Sequence, residues 1–290
     1  MVPKEFLGRF YGCFRALSLI AGMMFNYWLL GKAKTYAFWI SVGIDLLYGI
    51  GFTMMCFKAK EGEYAPVPLP AKEPTHGSSR FMAALGEYVR ECFTNTYYIW
   101  VFVGITASTL AFVPVNLFSV FFAKSVGMDM TLYGRYIAFT FFISLVLSYP
   151  LGWLADWLHP LRASIGLLAL YVGVTAWGGF AIDGAGSFAT AFILHSVLSG
   201  CFFTCSASLG LRLFPHARFA QFASAAGGLT AAGTMLLGPM LGQFLDRTGH
   251  IYRYTYLASS AIAALGLGTL LIVYARWQRL GGMRHYEAPE

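Results

Sequence analysis

Residues 97–123 read YYIWVFVGITASTLAFVPVNLFSVFFA, a run of 27 residues without a charged side chain. A helix of about 20 residues spans the hydrocarbon core of a bilayer, so this run is long enough to cross it. The run also lacks the period-two alternation of a lipid-facing strand, which needs only about 9–11 residues. It therefore predicts a membrane-spanning α-helix.

The composition of the whole chain agrees with this prediction. Of its 290 residues, 58% are hydrophobic and 11% are charged, whereas soluble domains have about 45–50% and about 25%. A soluble chain of this size needs a polar shell, so an apolar core alone does not explain the excess. Aromatic residues reach 17% of the chain, which excludes disorder. The net charge of +7 comes without a nucleic-acid-binding pattern, so nucleic acid is not an expected partner.

Eight long, largely apolar segments predict an all-α, polytopic membrane helix bundle. They are 8–30, 36–57, 97–123, 130–155, 163–182, 187–213, 219–245 and 252–277. The polar interval 58–80 contains the stretch PVPLP and is predicted to be a solvated linker. The segment 80–93 places Phe81 and Leu85 at helical spacing, which predicts an amphipathic helix lying along the membrane surface.

This layout divides the chain into three parts. Residues 1–57 hold two spans, residues 58–96 hold the linker and the amphipathic helix, and residues 97–290 hold six spans and a short tail. If both termini are cytoplasmic, 14 of the 20 Lys and Arg residues lie on the cytoplasmic side. Because cationic residues concentrate in cytoplasmic loops, this orientation is the predicted one, in a plasma (inner) membrane.

The turn between the fourth and fifth spans reads GWLADWLHPLR, residues 152–162. Gly152 permits close helix approach, and Asp156 is expected to pair with Arg162 or to cap a neighbouring helix. An acid and a base in a short turn are candidates for a gate latch, and an ordinary polar loop is the alternative. Gly152-x-x-x-Asp156 followed by Arg162 resembles the loop signature of the major facilitator superfamily.

In that family the signature lies between the second and third helices of a six-helix half, and it falls there if residues 97–290 form one half. The resemblance then implies the last eight helices of a twelve-helix transporter, with the first four absent. Residues 8–15, 60–64 and 242–254 resemble sugar-type cation symporters. The implied function is secondary active transport of a small polar solute, a sugar among the candidates, by alternating access. The implied coupling ion is H⁺ or Na⁺.

Five polar residues within the spans are candidates for the substrate or ion pathway, because groups of this kind usually face a bundle interior or a wet cavity. They are Arg15, Asn26, Asp45, Asn116 and His195. Asp45 is a candidate for ion coupling or a structural partner of another helix. Arg15 is a candidate for binding an anion or a hydroxyl, or for snorkelling to the interface.

Asn116 follows Pro114, which bends the helix, and is a candidate for contacting a solute hydroxyl or for bonding another helix. His195 is a candidate for proton exchange or a satisfied core histidine. Gly238, Pro239 and Gly242 form a small-residue face beside a proline. This face predicts either a flexing gate helix or tight static packing.

No catalytic, metal-binding or phosphate-binding motif occurs, so the sequence predicts no enzyme and no cofactor. The expected partners are the lipid bilayer and the solute. A second hypothesis is a truncated, non-transporting remnant that serves as a binding or assembly partner. A third, an intramembrane enzyme, would use Ser206 and His195, which are 11 positions apart. That spacing is roughly 16 Å along a helix and too far for proton transfer.

Overall fold

The computed structural model describes residues 6–28, 33–58 and 77–289, and these residues form helices joined by short turns, without a strand. The helices are α1 (Leu7–Trp28), α2 (Ala33–Lys58), α3 (Gly77–Phe93), α4 (Thr96–Leu110), α5 (Val113–Ser125), α6 (Met130–Leu158), α7 (Pro160–Ala181), α8 (Ala185–Ser206), α9 (Leu209–Leu213), α10 (Phe219–Arg247), α11 (Tyr254–Arg279) and α12 (Gly282–His285), with a single 3₁₀ turn (His216–Arg218) before α10. The all-α prediction is confirmed. Most of the predicted linker, residues 59–76 with residues 60–64 among them, lies outside the described residues, whereas Lys58 ends α2 and residues 77–80 belong to α3 rather than to a linker.

Six helices in the described part of the chain are long and apolar enough to cross a membrane, which is the property of an integral membrane protein. They are Phe38–Lys58, Thr96–Ser125, Met130–Leu158, Pro160–Ala181, Ala185–Leu213 and Tyr254–Arg279. The other two predicted spans, 8–30 and 219–245, are helical as α1 and α10 but less apolar. Helix α1 carries Arg9 and Arg15, and α10 is rich in glycine, alanine and threonine.

Two of the spans are interrupted inside their length. The span Thr96–Ser125 breaks between α4 and α5, where Pro114 lacks the N–H that would bond the Leu110 carbonyl. The span Ala185–Leu213 breaks between α8 and α9. Phe112 and Ser208, one from each break, are only 1% exposed. Irregular backbone at membrane depth is tolerated where protein buries it, as it is at both breaks.

Helices α4 to α11 pack into one lobe. Helix α11 lies against α4 and α7, helix α8 lies against α6 and α7, and α10 lies at the edge against α4 and α5. Aromatic side chains fill the centre, among them Phe112, Tyr171 and Phe202. Helix α3 packs on α4 and α10, where the Tyr88 hydroxyl lies 3.0 Å from that of Ser224. Buried polar groups in this lobe are therefore enclosed by rings rather than water.

Helix α1 joins the lobe through a close crossing with α6. A Cβ added to Gly152 would lie 2.6 Å from the Gly8 carbonyl oxygen, and one added to Gly12 would lie 2.6 Å from the Ser148 carbonyl oxygen. Only glycine lets the two backbones approach this closely. Helix α2, in contrast, makes no extensive contact with the other described helices, and no residue in its most apolar stretch is buried.

Gly152→Ala should destabilise the protein, because the new methyl group would meet the α1 backbone rather than a flexible side chain. Overpacking of this kind costs about 1–3 kcal/mol. The measurement is thermal unfolding of the purified protein in detergent, followed by tryptophan fluorescence.

Gly173→Ala in α7 is the matched control, because no atom lies within 4 Å of its added Cβ. The control should leave the unfolding temperature unchanged or raise it slightly, since alanine is the better helix former. Equal unfolding temperatures for the two variants would contradict the close crossing.

Candidate functional site

Asp156, near the C-terminal end of α6, is the centre of a polar cluster with the N-terminus of α1. Its carboxylate accepts hydrogen bonds from the backbone N–H groups of Gly8 at 2.9 Å and Arg9 at 3.1 Å. One carboxylate oxygen also lies 3.4 Å from Nε of Arg9, and the other lies 3.2 Å from Nη2 of Arg212. Only 4% of the Asp156 side chain is exposed. Of the two contacts expected from the sequence, the structure shows the cap on a neighbouring helix.

This cap follows from the electrostatics of a helix end. The first N–H groups of α1 have no acceptor within the helix, and they carry the positive end of its dipole. Asp156 satisfies two of them from another helix, while Arg212 on α9 balances its remaining charge. One carboxylate therefore ties together α1, α6 and α9. We call Gly8, Arg9, Asp156 and Arg212 the Asp156 cluster, and the end of the bundle that holds it the Asp156 end.

The predicted pair between Asp156 and Arg162 is not formed. Arg162 lies in the first turn of α7, with its guanidinium 5.5 Å from the Tyr274 ring and 5.8 Å from the Trp277 ring. The intervening His159 has a left-handed φ of 76°, which turns the chain sharply between α6 and α7. Arg162 consequently faces the aromatic residues of α11 instead of Asp156.

His159 caps α7 and is itself buried. Its Nδ1 accepts a hydrogen bond from the backbone N–H of Leu161 at 3.3 Å, and its ring centroid lies 4.5 Å from that of Trp277. Burial, followed by the charges of Arg212 and Arg162, lowers the pKa of His159 to about 3. The imidazole is therefore neutral at physiological pH, as an acceptor in a helix cap must be.

The structure brings together two of the candidates, Asn116 and His195, in the middle of the lobe. Nε2 of His195 lies 3.0 Å from the side-chain oxygen of Asn116, and Nδ1 lies 2.8 Å from the Tyr171 hydroxyl. His195 is fully buried, whereas Asn116 is exposed. A neutral imidazole that donates through Nε2 and accepts through Nδ1 satisfies all of these bonds. This arrangement is that of a satisfied core histidine and an interhelical hydrogen bond.

The Tyr171 hydroxyl also lies 3.4 Å from the carbonyl oxygen of Ala111, in the break between α4 and α5. Because the single hydroxyl proton is donated to Nδ1 of His195, the shorter contact, the Ala111 carbonyl is a polar neighbour of this network in the first broken span. Its side chains lie on α5, α7 and α8, so the network ties the first broken span to the continuous helix α7 and to the α8 part of the second broken span.

The remaining pathway candidates lie apart from this network. Asn26 donates to the carbonyl oxygen of Gly22 in its own helix at 2.8 Å. Asp45 is exposed on α2, beside Val42 and Gly49, and is remote from the other candidates. Arg15 is half-buried between α1 and α8, with its guanidinium 5.6 Å from the Phe203 ring.

The candidate gate helix, α10, continues through Pro239 without a break. A Cβ on Gly238 would make an ordinary contact with Leu117 at 3.5 Å, and a Cβ on Gly242 would meet no described atom within 4 Å. Tight packing occurs one and a half turns earlier, where a Cβ on Gly233 would lie 2.6 Å from Leu110. Against the described residues, the Gly238 to Gly242 face is thus open rather than tightly packed.

Sequence reasoning missed three members of these sites as contacts: Arg212, Tyr171 and His159. Arg212 is 56 positions from Asp156, and Tyr171 is 24 positions from His195. Because the partners are so far apart in the sequence, no local sequence pattern predicts either pair. A signal did exist for the α1 crossing, because Gly8 and Gly12 have the four-residue spacing of closely packed membrane helices.

No protein-family model matches this chain, and no curated protein is similar enough in sequence to count as a relative. Its function is therefore argued from its own geometry.

The pairing of Asp156 with Arg212 can be measured by a double-mutant cycle. Asp156→Asn and Arg212→Gln should each lower the free energy of unfolding, and together they should cost less than the sum by about 0.5–3 kcal/mol, because they share one interaction. The free energies come from unfolding titrations in mixed detergent micelles.

The matched cycle combines Asp156→Asn with Arg162→Gln, and its effects should add to within about 0.5 kcal/mol. Additive behaviour in the Arg212 cycle, or coupling confined to the Arg162 cycle, would refute the observed pairing.

The depressed pKa of His159 predicts a pH dependence of stability. The unfolded histidine titrates near 6.5 and the folded one near 3, so the unfolded state binds more protons between these values. Stability should therefore fall as the pH is lowered from about 6.5 towards 3. His159→Asn should make this decline shallower, since asparagine tolerates a left-handed φ and caps helices without titrating.

The control for this measurement is His250→Asn. His250 also has a left-handed φ, of 59°, but its side chain is exposed. This variant should keep the wild-type slope of unfolding temperature against pH between pH 7 and 4. Parallel curves for the wild type and His159→Asn would count against the assignment.

Proposed function

We propose that this chain is a secondary active transporter of a small polar solute and works by alternating access, not an enzyme. The observation that carries the proposal is the Asp156 cluster, which fastens the N-terminal end of α1 to the six-helix lobe through hydrogen bonds and ion pairs, in addition to the helix packing along α6. Contacts of this kind form and break as units, as the two states of a rocking carrier require.

The crossing beneath the cluster suits such a motion. Gly8 and Gly12 present bare backbone to Ser148 and Gly152, without side chains that interlock. Once the bonds to Asp156 are released, this end of α1 can shift on α6, while Gly22 stays packed against the Phe141 ring further along the helix. The Asp156 cluster is then a latch that holds one arrangement of the two parts, and the Gly152–Asp156 signature supplies both the close crossing and the acid.

Eight spans in the order of the last eight helices of a major facilitator carrier belong to the same proposal. Helix α1 has 22 residues and α10 has 29, so at about 1.5 Å per residue both exceed the roughly 30 Å hydrocarbon core. Their polar residues suit helices that face a bundle more than lipid. The loop signature then lies between the second and third spans of the six-helix half.

The proposed orientation places the Asp156 end in the cytoplasm, with both termini, in the plasma (inner) membrane. Basic residues concentrate at this end of the bundle; they include Arg9, Arg162, Arg212, Arg218, Arg276 and Arg279. The transport energy comes from an H⁺ or Na⁺ gradient, and the solute is a small polar molecule, sugars being among the candidates.

The test is uptake into proteoliposomes that contain the full chain. Under an imposed H⁺ or Na⁺ gradient, at least one labelled solute from a panel of sugars, organic acids and amino acids should accumulate. Dissipating the gradient with an ionophore should abolish the accumulation. Asp156→Asn should reduce it more than Arg162→Gln does, because only Asp156 holds the latch.

Gradient-independent equilibration, or no uptake of any panel member beyond that of empty liposomes, would contradict the proposal. A wild-type rate of uptake by Asp156→Asn would show that the Asp156 cluster is not needed for transport.

Helix α2 favours a second candidate, a non-transporting assembly partner. Its most apolar stretch contains no buried residue, and Trp39 and Phe57 are 71% and 85% exposed. A chain that exists to recruit other helices would form a complex of fixed stoichiometry in detergent, measurable as a mass above that of one chain by analytical ultracentrifugation, and it would fail the uptake test.

A further inference from the structure

Arg15 lies inside the bundle rather than at its end. It is six positions beyond Arg9 on α1, about 9 Å from the Asp156 cluster along the helix. Its guanidinium stands 5.6 Å from the ring of Phe203 on α8, which lies before the break that separates α8 from α9 and Arg212. Arg15 does not snorkel to the Asp156 end.

The guanidinium of Arg15 lacks the anion that a charge at this depth requires. Its Nε is buried without a hydrogen-bond partner, and none of the described residues offers Arg15 a hydrogen-bond acceptor or a carboxylate. Arg9, one and a half turns away, has Asp156. The contact with Phe203 is worth only about 0.5–2 kcal/mol. A charge inside a membrane-spanning helix is costly unless it is paired, so Arg15 is a cation available for a partner.

We propose that Arg15 binds the carboxylate of the transported solute, so that the substrate class is a small organic anion. The inference rests on the proposed transport function. A guanidinium and a carboxylate form two parallel hydrogen bonds, which are strong where water is scarce. The anionic headgroup of a lipid offers similar chemistry, but headgroups lie at the ends of the helices, whereas Arg15 lies about 9 Å inside.

The test compares acids with neutral molecules of similar shape. Glucuronate, lactate and benzoate are paired with glucose, propane-1,2-diol and benzyl alcohol, at equal ionic strength, in nanodiscs of phosphatidylcholine. At least one acid should raise the unfolding temperature of the wild type while its neutral counterpart does not. Arg15→Gln should weaken binding of that acid at least about tenfold, and Arg15→Lys less, because lysine keeps the charge without the fork.

Two measurements keep the result interpretable. Arg15→Gln should be as stable as the wild type without a solute, because it removes an unpaired charge, so lost binding is not lost folding. Arg279→Gln, an exposed arginine at the Asp156 end, should leave the affinity for the acid unchanged. A third arm replaces phosphatidylcholine with phosphatidylglycerol.

The inference is overturned if an acid and its neutral counterpart raise the unfolding temperature equally, or if none of the three acids raises it. It is also overturned if Arg15→Gln binds the acid as tightly as the wild type does. An Arg15-dependent stabilisation by phosphatidylglycerol alone would assign the site to lipid. Gradient-driven uptake of a neutral solute alone would refute the inference and leave the transport function standing. Arg15-dependent acid binding without gradient-driven uptake would support the anion site and refute the transport function.

Discussion

The position of α1 depends on its close crossing with α6, which one carboxylate completes at the N-terminal end of the helix. Apolar surface gains little by leaving lipid for another helix, so helices associate in a bilayer through close packing and polar contacts. Helix α1 uses both at one place: glycines bring its backbone against α6, and that approach brings the amides of Gly8 and Arg9 within reach of Asp156. Each contact needs the other, because a larger residue at Gly152 would hold the amides away, and without the acid α1 would end in uncapped N–H groups beside two arginines.

The protein treats its buried polar groups in three different ways. Asp156 is charged and compensated by a helix end and two arginines. His195 is enclosed by rings and satisfied in its neutral form by Asn116 and Tyr171. Arg15 is charged and uncompensated by the described residues. The first two arrangements are complete, so they stabilise a fixed structure. The third is incomplete, which is why the binding chemistry is assigned to Arg15 and not to His195, although the sequence offered both.

The sequence predicts the helices well because the ability of a segment to cross a membrane depends on its own length and apolar composition. It separates the six most apolar spans from their loops and places Asp156 at a helix end, with a cap as one of two contacts. The sequence does not predict contacts that depend on the direction of the chain after a turn. The left-handed backbone at His159 places Arg162 beside Trp277 instead of Asp156. The residue that does pair with Asp156, Arg212, is 56 positions away in the sequence. The partners of Arg9 on α1 and of Gln221 on α10, Asp156 and Glu91, are likewise distant in sequence and are identified only by the fold.

The proposed latch and the proposed anion site share a single rigid element, helix α1. Arg15 and the amides bound by Asp156 are about two turns apart on α1, too close for one to move independently of the other. A solute that draws the Arg15 guanidinium towards itself therefore pulls on the bonds of Gly8 and Arg9 to Asp156. It can shift the balance between two arrangements only by as much as its affinity for them differs. An anion supplies such a difference, because the charge it neutralises is uncompensated in the latched arrangement, whereas a neutral solute would have only hydroxyl contacts to offer.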